Sequence, residues 1–116
     1  VVAIVGGAAG ADALAAALTA HRPWAVLDAR LRRESTGHPS ASGIDVAGVI
    51  DLAAACAACG LPLLALSSDL VFDGAKGAPY LESDPVAPAE PVGSMHVALE
   101  AAIAAAHPGS LVVRTG

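Results

Sequence analysis

The residues with most to offer chemically fall between positions 67 and 96. Ser67-Ser68-Asp69-Leu70-Val71-Phe72-Asp73-Gly74 sets two hydroxyls and two carboxylates directly after the apolar run LPLLAL, and His96 stands on the segment PVGSMHVALE. A serine at a strand end can hydrogen-bond a ligand carbonyl, or it can satisfy backbone groups of the turn that follows. Upstream, in VGGAAGADA, Gly7, Gly10 and Ala13 keep a G-x-x-G-x-x-G/A spacing between a strand-like run and a helix-like one. That is the setting in which Gly7, Ala8, Ala9 and Gly10 would bring backbone N–H groups up to a pyrophosphate at a helix N-terminus. In a chain with 12 glycines the same spacing also fits a plain strand-to-helix turn. Asp28, followed by Ala29, closes the run AVLD. A carboxylate there accepts hydrogen bonds from ribose hydroxyls, or caps the next turn.

Other chemistry is disfavoured. Cys56 and Cys59 form a lone C-x-x-C late in an Ala-rich helical stretch, with no second pair to complete a metal site and no helix N-terminus to acidify a thiol, so both read as small packing residues. The net charge is −5, and Arg30, Arg32 and Arg33 sit beside Glu34, which excludes a basic stripe for a nucleic acid polymer. No apolar run reaches the ~18 residues that span a bilayer. No signal-peptide pattern opens the chain, and the two cysteines fit a reducing cytoplasm. Hydrophobic residues make up 55% and aromatics 3%, so the core must be Ala, Val, Leu and Ile.

The elements that must position these groups alternate. VVAIVGG, PWAVLDA, LPLLALSS and SLVVRT read as buried strands, and AGADALAAALTAHR, IDVAGVIDLAAACAACG and GSMHVALEAAIAAAH read as helices. Residues 30–43 are a polar loop, and 69–92 a long proline-rich one. The expected fold class is α/β: a reduced Rossmann-like domain of about four parallel strands with helices on both faces. The 116 residues allow a single domain, and its ends, Val1 and VVRTG, read as those of an incomplete one.

SSDLVFDGAKGAPYLESDPVAP is the most specific stretch. It resembles the dTDP-4-dehydrorhamnose reductase family, sugar-nucleotide reductases of the extended short-chain dehydrogenase class, whose motif runs S-[ST]-D-x-V-F-D-G and then K-G-x-P-Y-x-E-x-D-x-x-x-P. HRPWAVLDA, LAAACAACGLPLLALSSD and LVVRTG resemble the same family. The resemblance implies NADP or NAD as cofactor, a sugar nucleotide as partner, and NAD(P)H-dependent reduction of dTDP-4-dehydro-rhamnose. It gives Ser68 the place of a catalytic Ser/Thr and puts Gly7, Ala8, Ala9, Gly10, Asp28, Ala29 and Ser67 toward the cofactor.

The sequence also departs from the family. A Y-G-x-S-K motif would supply a proton-donating tyrosine and a lysine that lowers its pKa and holds a ribose. Alignment on Pro88 and Gly93 puts Val92 and His96 there instead. The single Tyr80 and Lys76 lie in the loop, in the wrong order for a helical pair. His96 could hold a ribose hydroxyl, or be a surface histidine on the first helical turn. The resemblance expects two strands between the glycine loop and PWAVLDA. Either these are missing, as the Arg-Pro-Trp match favours, or Asp28 is the ribose-binding residue and the gap lies later. A C-terminal substrate lobe is also expected to be absent. Catalytic impairment is therefore expected. The alternative is a non-catalytic regulatory module, resembling the beta subunit of methionine adenosyltransferase. An unpaired sheet edge and uncovered apolar surface imply self-association.

Overall fold

The computed structural model describes residues 10–30 and 45–116. The expected first strand, with Gly7, Ala8 and Ala9, lies outside the described residues, as does most of the polar loop. Within them the order is α1 (Ala11–His21), β1 (Val26–Asp28), α2 (Val46–Ala58), β2 (Leu63–Ser68), a 3-10 turn (Asp69–Val71), α3 (Pro91–Ala106) and β3 (Leu111–Thr115). The strands form one parallel sheet in the order β1-β2-β3. The α/β class and parallel sheet are as expected, with three strands among the described residues.

Local chemistry sets the helix ends. Arg22 takes a left-handed conformation (φ 44°), its N–H bonds the Leu18 carbonyl, and Pro23 then blocks continuation of α1. The Asp45 carboxylate caps α2 by accepting from Gly48 N–H at 2.9 Å. Gly60 (φ 65°) ends α2, with Leu61 N–H on the Cys56 carbonyl and Gly60 N–H on that of Ala57. These two bonds form a Schellman motif, which needs glycine at the left-handed position. Pro91 opens α3, where its missing N–H costs nothing.

The core is a helix layer on one face of the sheet. Leu14 and Leu18 of α1, Val49, Ala53 and Cys56 of α2, and Leu99 and Ile103 of α3 meet Leu63 and Ala65 of β2. Val26 and Val112 pack against the same cluster, and the register places them on the face of Leu63 and Ala65. Residues of the other face stay out of it. Helix cover is thus met on one face by the described residues. This corrects the expectation that PWAVLDA is a buried strand: Trp24 is 89% exposed and Leu27 63%. The cysteine pair also divides, because Cys56 points into the core while Cys59 has passed to the exposed C-cap of α2.

Candidate functional site

The polar residues converge where β2 and β3 end, beside the middle of α3. Ser67 lies on the helix-covered face, and its hydroxyl donates to Glu100 of α3 at 2.6 Å. Arg114 of β3, one strand over in register with Ser67, forks onto the same carboxylate at 2.7–3.2 Å. Burial works against the Glu100 charge, but the Arg114 and Ser67 hydrogen bonds outweigh it and hold the carboxyl below its ordinary value. Ser67 is thus a structural tie between β2 and α3.

Ser68 is the N-cap of the 3-10 turn. Its hydroxyl accepts from Leu70 N–H and donates to Asp69, both at 3.2 Å, and the residue is 8% exposed. Between the two uses the sequence left open for this serine, the turn is the one seen. Val92 is 7% exposed and His96 2%, both facing inward from α3. His96 is therefore not a surface histidine: with Leu99 and Ile103 it lies on the buried stripe of the helix.

Asp28 is buried (4% exposed) at the end of β1, and both its oxygens are taken. Arg30 donates Nε to one at 2.9 Å and a terminal nitrogen to the other at 2.6 Å, and that nitrogen also reaches the Gly48 carbonyl at 3.1 Å. The pair ties β1 to the start of α2. Arg30 was legible only as part of a solvated basic cluster. A carboxylate two residues before an arginine was the signal for it.

The loop after the 3-10 turn is held by stacking. Phe72 and Tyr80 lie nearly parallel, 12° apart with centroids at 4.1 Å. The Arg114 guanidinium sits over Phe72 at 5.1 Å, and Lys76 Nζ sits 5.6 Å from the Tyr80 centroid. The structure does bring the single Tyr and single Lys together, in a form unsuited to proton donation to a substrate. The Tyr80 hydroxyl donates to Asp73 at 2.6 Å, which raises its pKa, whereas a proton-donating dyad needs the tyrosine lowered. Lys76 is ion-paired with Asp84.

A cleft of about 290 Å³ opens beside this loop, lined in part by Phe72, Tyr80, Asp69, Asp73 and Glu90. Neither Ser68, Val92 nor His96 lines it. Three carboxylates and no cation in its wall oppose a pyrophosphate.

Of the residues that the resemblance puts toward a nicotinamide dinucleotide, the described ones offer few free groups. Gly10 has nothing within 4 Å of where a Cβ would stand, and the rest of the glycine loop lies outside the described residues. Asp28 and Ser67 are already committed, and Ala29 is an exposed residue between β1 and Arg30. Among the described residues no group of three or more His, Cys, Asp or Glu is placed to hold a metal ion. No described helix is long and apolar enough to cross a membrane.

Residues 11–116 match the domain family described as RmlD substrate binding domain, a range that begins just after Gly10. A dTDP-4-dehydrorhamnose reductase of Sinorhizobium fredii (strain NBRC 101917 / NGR234) is 44% identical over 68 residues, 59% of this chain and 23% of that protein. One from Streptomyces griseus is 34% identical over 113 residues, 89% of this chain and 36% of the relative. The crystal structure of a dTDP-4-dehydrorhamnose reductase from Clostridium acetobutylicum superposes with a TM-score of 0.69 at 26% identity, over 92% of this chain and 40% of that one. The chain thus spans well under half the length of each relative.

Proposed function

Because the chain belongs to the dTDP-4-dehydrorhamnose reductase family, we propose that it is a member in which the sugar-nucleotide scaffold persists and reduction of dTDP-4-dehydro-rhamnose is impaired. One observation carries this: Val92, which the resemblance aligns with the proton-donating tyrosine, is packed at 7% exposure on the first turn of α3. Reducing a ketone leaves an alkoxide that must be protonated as it forms, and a positioned general acid contributes roughly 10²–10⁴-fold. Valine carries no exchangeable proton. Ser68 is engaged with Leu70 and Asp69, and the Tyr80 proton is held by Asp73.

Positioning is the second deficit. Holding reactants in line accounts for about 7–11 kcal/mol of a barrier in favourable cases. The groups assigned to a cofactor among the described residues are instead spent on the fold: Asp28 on Arg30, and Ser67 on Glu100. The same commitment favours a second reading, a non-catalytic binding or regulatory module. Calorimetric titration with NADPH tests the proposal. Weak or absent binding is expected, and a micromolar or tighter constant would contradict it.

A further inference from the structure

We propose that the Asp73-Gly74 step is a latent isoaspartate site, kept unreacted in the folded chain by the hydroxyl of Tyr80. The sequence singles this step out. Asp73 is the one aspartate followed by glycine, the others preceding Ala, Val, Leu or Pro, and the chain contains no asparagine. The residue after an aspartate reacts through its backbone nitrogen, and a Cβ on that residue hinders the approach. Glycine has none. Gly74 is also required by the backbone, since it stands at φ 73°, a left-handed conformation that glycine adopts at least cost.

In the reaction the Gly74 nitrogen attacks Cγ of Asp73. A C–N bond forms, a Cγ–O bond breaks, and the carboxyl hydroxyl leaves with the N–H proton as water. Water then adds to the five-membered imide. Opening at the new bond restores aspartate. Opening at the old backbone bond leaves the main chain running through Cγ, one methylene longer, with the former backbone carbonyl as the free carboxylate. Water is the only co-reactant. The neutral carboxyl is the reactive form, because an ionised one has no hydroxyl to lose.

The fold opposes the first step at one oxygen. Asp73 Oδ1 accepts the Tyr80 O–H at 2.6 Å and the Ala75 N–H at 2.9 Å. Both bonds favour the carboxylate, that of Tyr80 most, and hold Asp73 below its ordinary value, so the reactive acid is scarcer than in an unfolded chain. The bond to Ala75, two residues on, is an Asx turn that anchors the carboxylate past Gly74. Tyr80 is itself fixed, its ring stacked on Phe72 and its oxygen accepting Lys76 N–H at 3.2 Å. Asp73 and Tyr80 share the wall of the cleft, so isomerisation would break that wall by moving the acceptor of the Tyr80 proton. This inference is independent of the reductase reading.

Timed incubation of the whole chain at neutral pH, followed by peptide mapping with mass spectrometry, tests it. Isoaspartate shows as a second peak of unchanged mass, and the imide as the same peptide less one water. A hydrogen bond to an ionised group shifts an equilibrium by about tenfold or more, so native wild type should isomerise at position 73 at least about tenfold more slowly than in urea. Tyr80→Phe keeps the ring against Phe72 and loses only the hydroxyl, so it should keep the wild-type circular dichroism and react about tenfold faster than native wild type. Lys76→Ala removes the ion pair with Asp84 but leaves the Asp73 bond, and should stay at the wild-type rate. Because the chain has a single tyrosine, tyrosinate absorbance reads the bond without any variant: Tyr80 should ionise at higher pH in the native chain than in urea. The proposal is overturned by a native rate equal to that in urea, or by a folded Tyr80→Phe chain no faster than wild type. Lys76→Ala reacting as fast as Tyr80→Phe would assign the protection to loop rigidity instead and overturn it too, as would coincident tyrosine titrations in the native chain and in urea.

Discussion

Replacing Gly93 by alanine should destabilise this protein, although alanine is the better helix former. Gly93 is in the first turn of α3, where that helix meets the 3-10 turn. A Cβ there would stand 2.1 Å from the Leu70 carbonyl oxygen, 3.0 Å from its carbon and 2.8 Å from Pro88 Cβ. None of these can swing away cheaply. Leu70 is pinned by Ser68, which accepts its N–H, and by the Asp69 carbonyl that receives Phe72 N–H one turn on. Glycine to alanine in a helix gains about 1 kcal/mol from propensity. Overpacking costs about 1–3 kcal/mol, and a clash with a backbone carbonyl on one side and a proline ring on the other belongs at the upper end. The net loss is about 2 kcal/mol, which lowers Tm by roughly 10 °C in a domain of this size. Urea and thermal unfolding followed by circular dichroism would measure it. Gly10→Ser serves as the control, since its Cβ meets nothing and serine is an N-cap former, and it should hold or raise Tm. A Gly93→Ala chain as stable as the wild type would refute the close approach of α3 to the turn.

Thiol labelling should separate the two cysteines. Burial above all, with the neighbouring Cys59 and then Asp28, pushes the Cys56 thiol up to about 11, while Cys59 lies at the surface, so a thiol reagent should titrate one cysteine in the native chain and both after unfolding. Acid should weaken the fold through Glu100, whose depressed folded pKa stabilises above the ordinary value of 4.5 and ceases to as pH falls through the lower folded value. Glu100→Gln should therefore be less stable than wild type at neutral pH and should flatten that part of the acid profile, read by urea midpoints across the pH range.

The alternation of apolar runs with helical stretches made the fold class readable, because each element carries its own period and its own stop. Gly60, Pro91 and the Pro108-Gly109 pair end or open helices by local conformation alone. What the sequence hid depends on neighbours far along the chain. PWAVLDA is as apolar as a doubly covered strand, yet Leu27 stands open because the helices pack on the face of Val26. His96 looked like a polar residue on an exposed first turn, but the stripe shared with Leu99 and Ile103 turns it inward. Ser67, Ser68 and Asp28 were legible as polar groups at strand ends. Their partners Glu100, Leu70 and Arg30 come from elements whose approach no single motif encodes. The departure at Val92 was plain, since valine carries no exchangeable proton in any conformation where the resemblance would set a tyrosine.

The account turns on whether a family scaffold with Val92 and His96 on α3 still reduces a keto sugar. NADPH oxidation by the unmodified chain with dTDP-4-dehydro-rhamnose, followed by the absorbance of the reduced nicotinamide, asks this directly. The account predicts a rate indistinguishable from the reaction without protein. Sustained turnover that scales with protein concentration would contradict it.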